Sequence, residues 1–185
     1  MASNVLAYPH PVSLQFPSEV NRPSVSRAAQ SRFSEFLQVT SRVRSLGQAL
    51  AEVPARLAVL PPPRFRVIVE GRERELRPDL REQIYRIGCE AIINAYRHSG
   101  AKEIEAVVEF RSSGVRVRVR DNGRGIDRDE LKEARPGRCG LQGMRERAQQ
   151  IGARLRVLSR AARGTEVELW APGGLAFKQR AAPCA

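Results

Sequence analysis

Residues 85–98 read YRIGCEAIINAYRH, and this stretch decides the fold. Its apolar residues recur every three or four positions, which is the period of a helix with one buried face. With Ile84, which directly precedes the stretch, the stripe consists of Ile84, Ile87, Ala91, Ile92 and Ala95. Pro78 suits the first turn of such a helix, because the N–H that proline lacks would have no partner within the helix at that position. Gly100 suits the end of the helix. The sequence therefore predicts a helix from Pro78 to about His98.

Four polar residues follow a second line along this helix, beside the apolar stripe. They are Glu90, Asn94, Arg97 and His98, at positions i, i+4, i+7 and i+8. A carboxylate and an amide oxygen one turn apart suit Mg²⁺, which keeps several waters and takes its other oxygens from phosphates. On its own such spacing is more often an exposed helix face, so the row gains meaning only from the motifs around it.

Alternating apolar residues predict strands on both sides of the helix. The predicted strands are 65–70, 104–111, 115–120, 153–159 and 165–170, and a second helix is predicted at 141–151. Residues 112–114, Ser-Ser-Gly, are typical of a hairpin turn. Strands in one layer and helices in the other predict an α+β fold, a two-layer α/β sandwich with a mixed sheet packed on helices.

Two glycine-containing motifs lie at the ends of predicted elements. Residues 121–125 read DNGRG and follow a strand; glycines there let the backbone approach a ligand, and Asp121 can accept a hydrogen bond from an exocyclic amine. Residues 137–144 read GRCGLQGM at the start of a helix, where free N–H groups favour phosphate. Each motif alone is more often a simple turn or helix start.

The order of the motifs is more informative than any one of them. Glu90-x-x-x-Asn94, DNGRG, GRCGLQGM and Gly164-Thr165 follow one another along the chain. This order resembles the N box and glycine boxes of the gyrase, heat-shock chaperone, histidine kinase and MutL ATPases (Bergerat fold). Residues 85–98 and the run GLQGMRERA at 140–148 most resemble the ATPase domain of sensor histidine kinases of the nitrate-sensor type. The resemblance covers about residues 64–172.

The resemblance implies ATP and Mg²⁺ as cofactors and assigns roles to individual residues. Asn94 would bind the Mg²⁺ that bridges the ATP phosphates, and Glu90 would position the metal-bound water or the attacking group. Asp121 would recognise the adenine amine, assisted by Thr165. Arg97 would lie near the phosphates.

The same resemblance implies a nucleotide lid over residues 126–139. Gly137 and Gly140 would be its hinges, and Gly123 and Gly125 would give the base room. The remaining nucleotide-binding residues that the motifs imply are His98, Ile126, Leu141, Gly143 and Met144.

A kinase of this type also needs a phosphoacceptor histidine on an upstream helix. The chain has two histidines: His98 lies within the predicted ATP-site helix, and His10 stands between two prolines, where no helix forms. We therefore expect the acceptor to be a histidine on another chain or a missing domain, with a response regulator as a further partner. The sequence leaves open a fragment, a stand-alone kinase or a degenerate kinase that still binds ATP.

Composition changes along the chain predict four regions. Residues 1–30 hold four prolines and no sustained period, so we expect a flexible arm. Residues 31–63 show a broken helical pattern that ends at three consecutive prolines. Residues 64–172 form the predicted ATP-binding domain, and 173–185 form a predicted flexible tail.

The net charge of +12 raises the question of a nucleic-acid partner. The excess of basic over acidic residues is +3 in residues 1–63, +4 in 64–120 and +5 in 121–185, so no segment forms a basic tail. We expect Arg and Glu to alternate on the outward strand faces and to pair across strands. The residues concerned are Glu105, Glu109, Arg116, Arg118, Arg120, Arg154, Arg156, Glu166 and Glu168.

Two alternatives stay open at this stage. An anti-sigma-factor-type serine kinase shares the Glu-Asn pair and the glycine boxes, although GLQGMRERA favours the sensor kinase. A basic nucleic-acid-binding module that uses no ATP is the alternative of another class. No apolar run of membrane-spanning length and no leader pattern occurs, and three dispersed cysteines indicate free thiols, so we expect a cytoplasmic protein.

Overall fold

The computed structural model describes residues 4–6, 45–57, 59, 61–126 and 139–178. The strands are β1 (Asn4–Leu6), β2 (Arg64–Glu70), β3 (Glu103–Arg111), β4 (Gly114–Asp121), β5 (Arg154–Ser159) and β6 (Thr165–Pro172). The helices are α1 (Leu46–Ala51), α2 (Pro78–His98), α3 (Cys139–Gln150) and α4 (Gly173–Ala176), with a short 3₁₀ turn at Pro54–Arg56. Every strand and both long helices predicted from the sequence are present, with ends within two residues of the prediction.

The six strands form one mixed sheet in the order β1-β2-β3-β4-β6-β5. β2 and β3 are parallel and are connected through α2, whereas every other neighbouring pair is antiparallel. Helices and sheet form two layers, so the predicted α+β sandwich is confirmed. This order brings the carboxyl end of β4 beside the start of β6, which places DNGRG next to Gly164-Thr165.

The core lies between the sheet and the helices, and α2 runs through its centre. Ile84, Ile87 and Ile92 are at most 1% exposed, which confirms the predicted apolar stripe. α1 packs on α2 at Gly88, where an added Cβ would lie 2.9 Å from Leu50 Cδ2. Cys89 is a buried free thiol, and burial raises its pKa to about 12.

The outward face of the sheet carries the expected charged rows. The register aligns Glu105 with Arg120 and Glu109 with Arg116. Arg66 Nε donates to Glu105 Oε2 at 2.6 Å, and Arg116 lies 3.7 Å from carboxylate oxygens of both Glu109 and Glu168. Cross-strand pairs of this kind each contribute about 0.2–1 kcal/mol. Arg66 and Arg116 on this face are therefore paired with carboxylates of neighbouring strands.

The packed region extends beyond residue 172, the end predicted for the domain. Ala176 and Phe177 are 0% and 4% exposed, and Phe177 forms a bridge with Leu76. Arg74 lies over the Phe177 ring, with its guanidinium carbon 3.7 Å from the ring centre. The predicted flexible tail is therefore wrong for residues 173–178, because an aromatic residue there completes the core.

The region before residue 64 is also more ordered in part than the sequence predicted. Asn4–Leu6 pairs antiparallel with β2, although the sequence predicted only a flexible arm there. Ser45 caps α1 through a reciprocal bond with Gln48, and Leu46 N–H donates to Glu73 Oε1 at 3.3 Å. The rest of the predicted arm, and residues 31–44, 58 and 60 of the broken helical pattern, lie outside the described residues. Among the helices described, none has the length and apolar character needed to cross a bilayer.

Candidate functional site

The polar row of α2 meets the start of α3. Glu90 and Asn94 are half-buried on α2, and Gly140 lies against both of them. A Cβ added to Gly140 would overlap Glu90 Oε1 and lie 3.2 Å from Asn94 Nδ2. The first turn of α3 is therefore so close to the two polar side chains that a side chain at position 140 would displace the Glu90 carboxylate.

Arg97 and His98 occupy the last turn of α2 and are exposed. The next residue, Ser99, is 8% exposed, and its carbonyl accepts from Arg124 N–H at 2.8 Å. This bond ties the end of α2 to the DNGRG loop. Arg97 and His98 therefore lie between the Glu90–Asn94 pair and that loop along the chain.

Asp121 is the buried carboxylate of the site, at 5% exposure. Its Oδ1 accepts a hydrogen bond from Gly123 N–H at 2.8 Å. Burial raises the pKa of this carboxyl above its ordinary value of 3.8, while hydrogen bonds with the backbone of Gly123 and Thr165 act against that rise. A carboxylate has about four acceptor positions, so these two bonds leave capacity for a ligand donor.

Close backbone approaches hold the DNGRG loop around Asp121. Gly164 has φ +83°, and a Cβ on it would overlap the Asp121 carbonyl oxygen. Cβ atoms on Gly123 and Gly125 would likewise overlap carbonyl oxygens, those of Ser99 and Arg160. The predicted glycines are thus required by contacts within the protein itself, whether or not a base lies beside them.

Ser159 is a residue of this region that the sequence analysis missed. Its hydroxyl accepts from Ile126 N–H at 2.7 Å, donates to the Gly164 carbonyl at 3.0 Å and lies 2.9 Å from Thr165 Oγ1. It therefore joins the end of the DNGRG loop to the start of β6. The one available signal was a polar residue at the half-buried end of the alternating pattern Leu155, Val157, Ser159.

Asn122 was also not predicted to have a role. Its side-chain oxygen accepts from the N–H groups of Lys102 and Glu103, both at 3.0 Å. These bonds fix the turn between α2 and β3, so the Asn122 side chain has a structural role in the loop.

The remaining predicted residues fall into three groups. Leu141 and Gly143 are half-buried in the first turns of α3, on the helix that reaches Glu90 and Asn94. Met144 is 0% exposed in the core, which corrects the expectation that it touches a nucleotide: it anchors α3 instead. Gly137 and most of the predicted lid, 127–138, lie outside the described residues.

The site fits a magnesium nucleotide on its donor chemistry. It offers the Glu90 carboxylate and the Asn94 amide beside Gly140, which has no side chain to fill the space. Phosphate oxygens can complete the coordination of Mg²⁺ there. At the other end, a buried carboxylate with unused acceptor positions suits an exocyclic amine. The two ends are joined through Ser99 and the DNGRG loop.

Comparison with known proteins agrees with this chemistry. Residues 79–174 match the family described as histidine kinase-, DNA gyrase B- and HSP90-like ATPases. The sensor histidine kinase LiaS of Bacillus subtilis is 35% identical over 91 residues, which cover 49% of this chain and 24% of that protein. The sensor protein VraS of Staphylococcus epidermidis is 32% identical over 129 residues, covering 70% of this chain and 36% of that protein. This chain thus spans about a quarter to a third of the length of these relatives.

Solved structures show the same fold. The histidine kinase domain of the Erythrobacter litoralis EL346 blue-light activated histidine kinase aligns with a TM-score of 0.57 at 19% identity. The alignment covers 80% of this chain and 83% of that domain. At this identity the likeness supports the fold alone. The description of the site rests on the residues and distances given above.

Proposed function

Because the chain belongs to the family of histidine kinase-, DNA gyrase B- and HSP90-like ATPases, we propose that it is the ATP-binding catalytic module of a two-component sensor histidine kinase. The single observation that carries this proposal is the approach of Gly140 to Glu90 and Asn94. It unites two motifs far apart in the sequence into one polar site, with the buried Asp121 at the other end.

In this proposal the nucleotide spans the two ends of the site. Asp121 accepts a hydrogen bond from the adenine amine, with Thr165 beside it, and Asn94 holds Mg²⁺ together with the phosphates. The metal supplies charge neutralisation along the phosphate chain, which is the main requirement of phosphoryl transfer. Glu90 orients the attacking group, and Arg97 adds positive charge near the phosphates, with His98 as a further nucleotide-binding residue beside it.

The acceptor is proposed to be a histidine outside residues 64–178, on another chain or another part of a longer protein. Within the described site the only imidazole belongs to His98, which is exposed at the end of the ATP-site helix. A response regulator would then receive the phosphoryl group. Since ATP is supplied in the cytoplasm, we place the module there.

The test is a calorimetric titration of the chain with ATP in the presence and absence of Mg²⁺. We expect Asp121→Ala to lose binding under both conditions, because it removes the adenine contact. Asn94→Ala should lose at least about tenfold in affinity with Mg²⁺ and much less without it, because the lost contact is to the metal. Gln149→Ala, an exposed change on α3, is the control.

Failure of the folded wild-type chain to bind ATP would contradict the proposal. Binding that is unaffected by either substitution would contradict the assignment of the site. Once binding is established, transfer is tested with candidate acceptors: phosphohistidine is lost in acid, whereas the phosphoserine made by an anti-sigma-factor-type kinase survives it.

A further inference from the structure

Arg147 lies two turns into α3 and extends back toward the start of that helix. Its Nη1 atom lies 2.9 Å from the position that a Cβ on Gly143 would occupy. Side chains of long residues in helices point toward the helix N-terminus, so this direction is the ordinary one. The glycine at position 143 therefore leaves room for a guanidinium over the first turns of α3.

Within the part of the chain that is described, the Arg147 guanidinium has no acidic partner, and the same is true of Arg118 on β4. Two half-buried arginines there do have one: Arg86 pairs with Glu82 at 2.6 Å, and Arg116 lies 3.7 Å from Glu109 and Glu168. Arg147 is half-buried as well. A half-buried guanidinium has lost part of its hydration, and a bound anion can replace it.

The position of Arg147 relative to the ATP site follows from helix geometry. Gly140, Gly143 and Arg147 are spaced i, i+3 and i+7, so they share one face of α3. Gly140 on that face contacts Glu90 and Asn94. The guanidinium thus extends along the α3 face that borders the magnesium end of the site.

We propose that Arg147 is a phosphate-binding residue of this site and that Gly143 is a glycine because it admits the Arg147 guanidinium. This inference rests on the proposed function and deepens it. Arginine suits the role because its planar fork can donate two parallel hydrogen bonds to a phosphate. The glycine motif of α3 then has two separate purposes: Gly140 brings the backbone to Glu90 and Asn94, and Gly143 brings a cation to the phosphates.

The experiment compares ATP with adenosine, which has the base and ribose without phosphates. Isothermal titration calorimetry with Mg²⁺ is carried out on the wild-type chain, Arg147→Gln, and the matched control Arg145→Gln, which alters an exposed arginine on the same helix. We expect Arg147→Gln to weaken ATP binding at least about tenfold, the scale of a lost charge-assisted contact. Adenosine binding should change less than about twofold, which also shows that the variant is folded.

A double-mutant cycle tests the link between the two positions. Gly143→Ala places a methyl group against the guanidinium, so ATP affinity should fall severalfold in the wild-type background. In the Arg147→Gln background the same change should have little further effect, because the displaced group is gone.

The outcomes separate this inference from the proposal on which it rests. A folded wild-type chain that binds no ATP contradicts both. Wild-type binding with equal ATP affinity in Arg147→Gln contradicts the assignment of Arg147 alone, and equal losses of ATP and adenosine binding do the same, because they indicate a structural role. Additive effects of the two substitutions contradict the role given to Gly143.

Discussion

At the scale of single residues, Asp121 combines a cost in stability with a role in the site. It is 5% exposed, and burial disfavours its charged form. Its hydrogen bonds with the backbone of Gly123 and Thr165 recover part of that cost. A ligand amine would recover more, so we expect the carboxylate to favour the nucleotide-bound state of the protein.

The raised pKa of Asp121 gives a pH prediction with a definite sign. Below about pH 3.8 the Asp121 carboxyl is protonated in both the folded and the unfolded state, and its contribution to stability is fully present. That contribution is lost as the pH rises through the raised folded-state pKa. In urea unfolding of the nucleotide-free chain, the stability of wild type relative to Asp121→Asn should therefore fall between pH 4 and neutrality. A difference that does not change with pH would contradict this expectation.

Gly140 provides a second test at the residue scale. Gly140→Ala places a methyl group on Glu90 Oε1, so the Glu90–Asn94 pair must move. Because small displacements of positioned groups are costly, we expect ATP affinity to fall about ten- to hundredfold in calorimetry. Gly174→Ala is the matched control, since no atom lies within 4 Å of its added Cβ. Equal affinities in the two variants would show that the contact is not needed.

The residues that the sequence predicted are those with a distinctive chemistry at a fixed spacing, such as Glu90, Asn94 and Asp121. Ser159 could not be predicted, because its partners Ile126 and Gly164 are brought to it only by the pairing of β5 with β6. Met144 was misjudged for a related reason: its place beside motif glycines suggested a ligand contact, whereas the helix turns it into the core.

At the scale of elements, α1 depends on tertiary packing for its stability. It has only six residues, and isolated helices of that length are unstable in water. Leu50, at 0% exposure, packs against α2 at Gly88, two residues before Glu90. α1 therefore supports the helix that carries the polar row.

Leu50→Ala should accordingly destabilise the domain by about 2–5 kcal/mol, the range for truncating a fully buried leucine. The measurement is the free energy of unfolding in urea. Leu175→Ala is the control, because Leu175 is 43% exposed. A loss for Leu50→Ala no larger than that for the control would contradict the packing described for α1.

The elements were predictable to different degrees for physical reasons. α2 was predicted to its ends because a proline, an apolar stripe and a final glycine agree over 21 residues. The short stretches Asn4–Leu6 and Gly173–Ala176 carry too few residues to show a period, and they gain structure only from β2 and from the core. Sequence patterns report the local conformational preference of the chain, and these two segments are too short to show one.

At the scale of the whole molecule, residues 64–178 form an ATP-site module whose only histidine is His98. We expect no label on histidine when the purified chain is incubated with γ-labelled ATP and Mg²⁺, because His98 is part of the nucleotide helix and His10 stands between two prolines. The measurement is acid and base treatment of the labelled protein. Label that survives base and is lost in acid would contradict the expectation.

The order of the sheet also links the two ends of the site through one segment of the chain. β4 ends at Asp121 and its neighbour β6 begins at Thr165, so the segment that follows Asp121 returns to the sheet beside it, where Gly164 contacts the Asp121 backbone. Among its described residues, Met144 and Ala148 are at most 1% exposed and hold α3 in the core, and β5 pairs with β6 at the sheet edge. A change at the Asp121–Gly164 contact therefore bears on both ends of the site, because the segment that carries Gly140 starts and ends there.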